Sequence, residues 1–445
     1  MHITDLKIRN LRSIAAADLE LNHEGRPTNM AYPNVNILLG ANGTGKTSVL
    51  RAAALAVLGK VMSGGAGFVA DGLIRKVPKI RGRVPISVAK VTADLVFRAG
   101  EIRESLLSSL GPEPLGVTTQ IRLRGTSELL ESSTRPATAA DALEEILYGK
   151  DESSYFIVGY GATRRVEASA RVDESARTKS RLRRYERVAS LFEDHLALVP
   201  LSYWLPGYEE RNAGRYTQVV NLVNRLLPPA CRMQKSATET DLGTEHLFEM
   251  NGVALPFRAL SDGYRAYVGW IGDMLFHLCM RAPRGKKLNE THGVVMVDEI
   301  DLHLHPEWQR VVLPTLAREL PHVQFIATTH SPLVVGSLES ANLFMLVEKD
   351  GATSVQRLAE SVHGRSSEEI LLSPYFGLES TRAADVADAL EYLAQQAVAG
   401  HANASMEYLR LLSGGMQKSE LQRISAKAEG NTAAVKQALS SRRND

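Results

Sequence analysis

The sequence predicts an α/β fold in which a mixed sheet is flanked by helices, with a helical insertion and a helical C-terminal extension. Two features predict this fold: a glycine-rich loop between an apolar strand and a helix at Gly40–Thr47, and a second apolar strand that ends in the carboxylates of Asp298 and Glu299. Short apolar runs without alternation are typical of strands that are buried on both faces, as in parallel sheets covered by helices. Such strands, alternating with helices, indicate the α/β class.

The loop at Gly40–Thr47 has the sequence of a phosphate-binding P-loop. It reads Gly-Ala-Asn-Gly-Thr-Gly-Lys-Thr, follows the apolar run Val35–Leu39 and precedes the helical pattern Ser48–Val57. Glycines let the backbone wrap around an anion, and the N–H groups at the helix start point at the phosphates. Lys46 can reach the β- and γ-phosphates, and the Thr47 hydroxyl can ligate Mg²⁺. The residues of this loop that we expect to bind ATP are Gly40, Asn42, Gly43, Thr44, Gly45, Lys46, Thr47 and Ser48.

The composition is that of an ordinary globular protein. The chain has 445 residues, enough for two or three domains, and its net charge of +2 does not indicate a nucleic-acid binder. Cys231 and Cys279 are isolated, so we expect both to be reduced, which suits the cytosol. The N-terminus does not read as a signal peptide, and no apolar stretch is long enough to span a membrane. We therefore expect a cytoplasmic protein without membrane contact.

The remaining elements follow from hydrophobic periodicity. The sequence predicts two strands within residues 3–22, further strands at 86–97, 117–123, 155–158, 293–297, 323–327 and 343–347, and a hairpin near 247–253. It predicts helices at 261–280 and 306–320, a broadly helical segment at 179–230 and an alanine-rich helical pattern from Ser366 onward. Residues 126–142 read as loops and short helices.

The strand before Asp298 and Glu299 has the pattern of a Walker B strand. Asp298 would hold Mg²⁺ together with Thr47, and Glu299 would polarise the attacking water. The alternative is a buried strand with acidic residues at its exposed end, and the P-loop earlier in the chain argues against it. His330 follows another apolar strand, and its ring could hydrogen-bond a γ-phosphate. The predicted catalytic residues are Glu299, His330 and Lys46.

The segment Leu260–Arg265 reads Leu-Ser-Asp-Gly-Tyr-Arg and opens a helix. The order of P-loop, Leu-Ser-x-Gly motif, Asp-Glu pair and histidine resembles the ATP-binding-cassette (ABC) ATPases. This resemblance implies an ABC-ATPase head of the P-loop NTPase fold, in which Ser261 and Gly263 bind the γ-phosphate of ATP held by a second subunit. It therefore implies a homodimer or a higher homo-oligomer. The similar run Leu412–Met416 follows the histidine, so we interpret it as a loop between helices.

Within that superfamily, Asn42 and the segment Leu6–Ile14 resemble the SMC, RecF and OLD branch. In that branch an Arg-Ser segment of the first strand lies near the nucleotide, which implies such a role for Arg12 and Ser13. Three further segments resemble the compact "AAA family" ATPases of bacterial anti-phage systems, including Septu, retron-linked cassettes and PARIS. These segments are Gly159–Arg165, Asp298–Pro306, and Ser366–Leu371 with Phe376–Gly377.

The anti-phage resemblance implies an ATPase that switches a separate effector protein, a nuclease or toxin. Two alternatives stay open: a RecF-like DNA-binding ATPase in DNA repair and maintenance, and a nucleotide-gated scaffold with slow turnover. The stretch Arg164–Arg187 carries nine basic and four acidic residues. It could contact DNA phosphates or form a solvated helix face, and the sequence favours neither.

Two smaller questions concern the Q-loop and a possible metal site. The glutamine of an ABC Q-loop could be Gln120, or the loop at Gly159–Arg165 could take that place. His303 and His305, with Asp301, could bind a metal, but structural or dimer-interface roles are favoured.

Leu346–Glu348 resembles the start of the Toprim nuclease of OLD proteins. The later carboxylates Asp385 and Asp388 lie on a helical pattern, so we do not expect a nuclease in this chain.

The resemblances imply four segments. They are the N-terminal part of the head with the P-loop (1–163), a basic helical insertion (164–245), the C-terminal part of the head (246–360) and a helical extension (361–445), which we expect to dock on a partner or on a second copy.

Overall fold

The computed structural model describes residues 1–26, 29–64, 68–77, 85–148, 155–166, 184–194, 196–240, 243–281, 286–349, 352–401, 403–414, 416–417 and 420–428. The chain forms two compact units, Met1–Ser367 and Glu368–Asp445. No helix within these ranges combines the length and the apolar character needed to cross a bilayer.

The strands are β1 (His2–Leu11), β2 (Ile14–Glu20), β3 (Val35–Leu39), β4 (Val88–Val96), β5 (Leu115–Arg124), β6 (Ser127–Arg135), β7 (Ile157–Tyr160), β8 (Arg165–Val166), β9 (Ala197–Leu198), β10 (Cys231–Met233), β11 (Thr238–Thr240), β12 (Gly243–Glu245), β13 (Phe248–Met250), β14 (Val253–Leu255), β15 (Gly293–Val297), β16 (Val323–Thr328), β17 (Leu343–Lys349) and β18 (Ala352–Gln356). The helices are α1 (Lys46–Ser63), α2 (Glu104–Leu110), α3 (Ala140–Tyr148), α4 (Leu201–Trp204), α5 (Tyr208–Arg211), α6 (Ala213–Leu226), α7 (Asp262–Arg281), α8 (Pro306–Glu319), α9 (Pro332–Gly336), α10 (Ser367–Leu371), α11 (Ala384–Val398) and α12 (Ala404–Leu412). Short 3-10 turns occupy Ala137–Ala139, Ala189–Leu191, Phe257–Ala259, Leu288–Glu290 and Ser340–Asn342.

The central sheet of the first unit has the strand order β18-β17-β3-β16-β15-β7. Five of its six strands, from β17 to the edge strand β7, run parallel, and β18 at the other edge is antiparallel. Every residue of β3, β15 and β16 is buried, which explains why their sequences are mostly apolar and do not alternate with polar residues. Because parallel strands end at the same edge, the segments that follow β3, β15, β16 and β7 meet at one edge of the sheet.

A second, antiparallel sheet of order β2-β1-β4-β5-β6 lies on the other side of α1. Helix α1 contacts strands of both sheets and is rich in buried alanines, so it can approach both closely. At Gly59 the approach leaves no room for a side chain, because an added Cβ would lie 1.7 Å from the Thr119 hydroxyl oxygen. That hydroxyl donates to the Leu55 carbonyl at 2.8 Å.

The strand β6 corrects the prediction of loops and short helices at 126–142. Residues Ser127–Arg135 form the edge strand of the antiparallel sheet, and helix α3 begins at Ala140. The strand carries mostly polar residues and has no fully buried position, so its sequence lacks the apolar alternation of a core strand.

Buried amide side chains connect the two sheets. Gln324 on β16 accepts from the Ile3 N–H at 2.8 Å and donates to the carbonyls of Ile3 and Asn22 at 2.8 and 2.9 Å. Asn36 on β3 accepts from the Asn22 N–H at 2.6 Å and donates to its carbonyl at 2.9 Å. The two amides of the central sheet thus provide hydrogen-bond partners for backbone groups of Ile3 and Asn22, which belong to β1 and to the segment after β2.

The sequence between β8 and α7 contributes short helices and small sheets to the first unit. The part of residues 179–230 that the structure describes is less helical than predicted, because only the short α4 and α5 and the longer α6 are regular helices there. The hairpin near 247–253 is β13 paired with β14. In the second unit, α11 and α12 pack around Ala389, Leu393, Leu411 and Ile424.

Candidate nucleotide-binding site

A cleft of about 510 Å³ opens at the carboxyl edge of the central sheet. It gathers residues from the P-loop, the end of β15, the end of β16 and the loop between β1 and β2. Its lining residues are Arg12, Ser13, Asn42, Gly43, Gly45, Lys46, Thr47, Ser48, Gly72, Ile74, Lys76, Asp298, Glu299 and His330. Most of the predicted nucleotide-binding and catalytic residues therefore lie together.

The P-loop takes its shape from glycines. Gly43 and Gly45 have φ angles of 84° and 97°, which are readily accessible only to glycine. A Cβ on Gly45 would also lie 2.6 Å from the Ser13 hydroxyl oxygen, so Ser13 packs directly against the loop. The predicted residues Gly40 and Thr44 shape the loop without lining the cleft, and the Thr44 hydroxyl donates to the Ala41 carbonyl at 2.9 Å.

Lys46 lies within the curve of the loop. Its ammonium group donates to the carbonyls of Gly40 and Ala41 at 2.8 and 3.0 Å. Burial lowers its pKa below the ordinary value, while the nearby carboxylates of Asp298 and Glu299 raise it. The ammonium group is thus held at the mouth of the loop, where a phosphate would meet it.

Two threonine hydroxyls hold the Asp298 carboxylate. Thr47 donates to Oδ2 at 2.7 Å, and Thr328 at the end of β16 donates to Oδ1 at 2.6 Å. The hydroxyl of Thr47 and the carboxylate of Asp298 supply the hard oxygen ligands that Mg²⁺ prefers. This donor set fits the predicted magnesium ion, with Thr47 and Asp298 as the residues that would hold it.

Glu299 has an unusual backbone conformation that two contacts support. Its φ angle is 48°, in the left-handed region that non-glycine residues rarely adopt. Its N–H donates to the Thr328 hydroxyl at 2.7 Å, and its carbonyl accepts from the guanidinium group of Arg164. The backbone is therefore fixed from both sides, and the side chain lines the cleft.

Arg164 donates hydrogen bonds to the backbone carbonyls of both acidic residues, Asp298 and Glu299. Its guanidinium group donates to the Asp298 carbonyl at 3.0 Å and lies 5.9 Å from the centre of the Trp270 ring. Burial lowers the pKa of Arg164 to about 10, which still leaves it charged at neutral pH. The sequence analysis placed Arg164 in the basic stretch and in the Gly159–Arg165 segment, but it gave the residue no role of its own. Its position directly after the glycine loop that follows β7 was the available signal.

The segment around His330 is fixed through Asp301. The Asp301 carboxylate accepts from the Thr329 hydroxyl at 2.5 Å and from the His330 N–H at 3.3 Å. Partial burial, together with the charge of Lys46, lowers the pKa of His330 below its ordinary value. The ring is therefore neutral at physiological pH and can donate one hydrogen bond to a phosphate.

The Leu-Ser-x-Gly motif with Ser261 and Gly263, here called the signature, lies elsewhere, and the cavity beside it is called the signature cavity. Ser261 and Gly263 line a separate cavity of about 560 Å³, which shares no lining residue with the first. The other residues around this cavity are Pro228, Ala230, Tyr264, His303, Leu304, His305, Glu307 and Trp308. A Cβ on Gly263 would lie 3.0 Å from the His303 carbonyl, so the start of α7 packs against the loop after β15.

The two predicted positions of the Q-loop, Gln120 and the loop at Gly159–Arg165, lie at different distances from the cleft. Gln120 lies on β5, where its side chain accepts from Arg122 at 2.8 Å, and it does not line the cleft. The loop at Gly159–Arg165 follows β7, the strand beside β15, and carries Arg164 to the acidic pair. Of the two alternatives, only this loop adjoins the site.

The basic stretch Arg164–Arg187 lies in part outside the described residues. Within the part that the structure describes, Arg184 and Arg187 are 7% and 3% exposed. Arg184 donates to the carbonyls of Ile146, Leu147 and Tyr155 at 2.7 to 3.0 Å. Together with Arg164, these residues pack inward and do not present their charges to solvent.

His303 and His305 are exposed at the signature cavity. His305 accepts from the Glu307 N–H at 3.5 Å at the start of α8, whereas Asp301 is engaged with Thr329. The three residues do not form a cluster of ligand atoms among the described part of the chain.

Two family models match successive parts of the chain. A family model described as "AAA domain, putative AbiEii toxin, Type IV TA system" matches residues 167–336, and one described as "AAA domain" matches residues 5–156. The second match contains the P-loop and the first contains the signature motif, the acidic pair and His330.

Curated relatives match parts of the chain. The retron Ec83 probable ATPase of Escherichia coli is 32% identical over 162 residues, which cover 36% of this chain and 29% of that protein. Septu protein PtuA of Bacillus mycoides (strain KBAB4) is 24% identical over 347 residues, covering 78% of this chain and 41% of that protein. The chain thus spans less than half the length of these relatives.

Among solved structures, an SMC head bound to the C-winged helix domain of ScpA aligns with a TM-score of 0.48 at 18% identity, covering 80% of this chain and 98% of that one. Over parts of its length the chain is therefore similar to AAA domains, to a retron probable ATPase and to Septu protein PtuA.

Proposed function

We propose that this chain is an ATP-hydrolysing switch of the ABC type, in which two copies close head to tail around ATP and thereby control a separate effector protein. The observation that carries the proposal is the separation of the P-loop cleft from the Ser261 cavity on one chain. Two half-sites that share no lining residue suit a composite site, in which each P-loop is completed by the signature residues of a second copy.

Each half-site supplies different groups. Lys46 and the P-loop N–H groups bind the phosphates, and Mg²⁺, when bound, neutralises phosphate charge. The Ser261 hydroxyl, the Gly263 N–H and the start of α7 add donors that suit an anion. A site that is complete only in the dimer couples ATP binding to assembly, because bound ATP contributes contacts to both copies.

Glu299 is the proposed general base. Its side chain lines the cleft beside Lys46 and His330, and its backbone is fixed by Thr328 and Arg164. A carboxylate held in this way can accept the proton of a water that attacks the γ-phosphate. The neutral ring of His330 would donate to the same phosphate.

The effector is proposed from sequence similarity. The similarity to a retron ATPase and to Septu protein PtuA supports a place in bacterial anti-phage defence, where hydrolysis would release a nuclease or toxin from the closed dimer. This claim is tested by whether the product of the adjacent gene binds the ATP-bound dimer and fails to bind a variant that cannot close, Ser261→Arg.

Substituting the proposed base tests the cycle. Glu299→Gln keeps the shape of the side chain and removes its basicity, so we expect ATP binding to persist while turnover falls by about 10²–10⁴-fold. The variant should accumulate as a dimer with ATP, measured by light scattering after size-exclusion chromatography. Lys46→Ala is the control, which should lose both ATP binding and the dimer. ATP hydrolysis at the wild-type rate by Glu299→Gln would refute the catalytic assignment.

A further inference from the structure

A cluster of histidines and carboxylates lies at the amino edge of the central sheet, opposite the P-loop cleft. His292 directly precedes β15 and His322 directly precedes β16. Gly293 pairs with Val323 in the parallel ladder, so the two histidines occupy equivalent positions on neighbouring strands. Their rings are stacked with centroids 4.7 Å apart, which matches the spacing of adjacent strands.

Glu24, after β2 of the antiparallel sheet, completes the cluster. Its Oε2 atom contacts Nδ1 of His322, while its Oε1 atom accepts from Arg98 at 2.8 Å. One ligand atom from each of Glu24, His292 and His322 lies within 4.8 Å of the other two. Among the residues that the structure describes, no other group of three such side chains meets this condition.

We propose that Glu24, His292 and His322 bind a divalent transition-metal ion of the zinc class. Two imidazoles and one carboxylate form a ligand set that suits zinc and leaves a fourth position for water. Ligand atoms around a tetrahedral zinc ion are about 3.4 Å apart, so small side-chain rotations close the site. The three side chains are 17% to 29% exposed, which leaves a path for the ion from solvent.

A second carboxylate supports the proposal independently. The Glu101 side chain is only 4% exposed, and its Oε1 atom has no hydrogen-bond partner. This atom lies 3.7 Å from Nε2 of His292, while Oε2 contacts the amino group of Met1. A buried carboxylate behind an imidazole is the usual partner that orients a metal-bound histidine and raises its basicity. A metal-bound His292 would donate a hydrogen bond from Nε2 to Oε1 of Glu101. The metal would thus favour a partner for this buried oxygen, whose burial without a hydrogen bond costs free energy.

Burial lowers the pKa of His292 to about 4. His2 and His23 stand next to the cluster, and burial lowers the pKa of each of them as well. The Nε2–H group of His2 donates to the backbone carbonyl of His322 at 3.2 Å, so this nitrogen is engaged.

The proposed ion would join the two sheets of the head. It would hold the starts of β15 and β16 to the segment after β2, about 20 Å from the acidic pair that follows β15. This site is separate from the nucleotide cleft and does not depend on the proposed ATPase cycle. Zinc binding can therefore succeed or fail whatever the outcome of the nucleotide experiments.

The test is a zinc titration of the full chain after removal of metals with EDTA, without nucleotide or Mg²⁺. We expect one zinc ion per chain by elemental analysis, and a rise in the melting temperature that EDTA reverses. His322→Gln and Glu24→Gln each remove a ligand and should abolish this binding. Glu101→Gln should weaken it by about 10–100-fold, the usual effect of losing an orienting carboxylate.

Two controls make the result specific. His363→Gln, at an exposed position of the same unit, should bind zinc as the wild type does. His305→Gln tests the exposed pair His303 and His305 and should also retain the ion. The proposal fails if the wild type binds no zinc, if His322→Gln and Glu24→Gln keep wild-type binding, or if only His305→Gln loses it.

Discussion

Thr328 connects the two acidic residues of the cleft through a single hydroxyl group. It is fully buried, donates to Asp298 and accepts from the Glu299 N–H. One side chain at the end of β16 therefore fixes both the carboxylate assigned to Mg²⁺ and the backbone of the proposed base. Positioning of this kind matters for rate, because a displacement of about 1 Å can cost about 10²-fold.

Replacing that hydroxyl should affect turnover more than nucleotide binding. Thr328→Val keeps the shape but leaves a buried acceptor and a buried donor without partners, so kcat should fall by about 10–100-fold. Thr328→Ser retains the hydroxyl and should remain within about threefold of the wild type. Steady-state ATPase assays on both variants, with ATP affinity measured separately, check this. Equal activity of the valine and serine variants would exclude the proposed role.

At the scale of single residues, the sequence predicted those residues whose chemistry is revealed by a short local motif. Lys46, Thr47 and Asp298 carry chemistry that a local motif reveals, and they line the cleft. Thr328 and Arg164 were missed because their roles depend on strand order, which places β16 and β7 on either side of β15. Nothing in a single sequence states which strands are neighbours.

Helix α1 links the P-loop to the packing of both sheets. It begins at Lys46 in the cleft and runs between the sheets, where Gly59 meets Thr119. The alanines and the glycine keep its surface narrow enough for this position. The geometry of the P-loop thus depends on close packing along the whole helix.

A methyl group at the crossing point should destabilise the protein. Gly59→Ala places a Cβ 1.7 Å from the Thr119 hydroxyl oxygen, so the helix or β5 must shift. We expect the free energy of unfolding to fall by about 1–3 kcal/mol, measured by denaturant titration. Gly64→Ala is the matched control, since its nearest neighbour would be 3.4 Å away and its φ is −86°. The packing argument is wrong if the two variants are equally stable.

Elements with buried apolar faces were predicted well from the sequence. The strand at Gly293–Val297 and the helix from Pro306 agree with the structure to within a residue. Strand β6 was missed because it is a polar edge strand, whose residues are held by backbone pairing with β5 and not by core burial. Hydrophobic periodicity carries no signal for such a strand.

At the scale of the whole molecule, the P-loop cleft and the signature cavity are two incomplete parts of the proposed site. The cleft supplies Lys46 and the acidic pair, and the cavity supplies Ser261 and Gly263. A head-to-tail dimer with twofold symmetry brings each part to its complement twice, so one interface creates two composite sites. Hydrolysis would then reopen the interface by removing the γ-phosphate that both copies contact.

Mixing two inactive variants tests this composite site most directly. Lys46→Ala removes the P-loop lysine, and Ser261→Arg blocks the signature, so neither variant alone should hydrolyse ATP. A mixed dimer has one intact site, formed by the P-loop of the Ser261→Arg chain and the signature of the Lys46→Ala chain. Random pairing of equal amounts makes half of the pairs mixed, each with one of two sites intact, so the mixture should regain ATPase activity up to about a quarter of the wild-type rate. A mixture that stays as inactive as its two components would contradict the composite site.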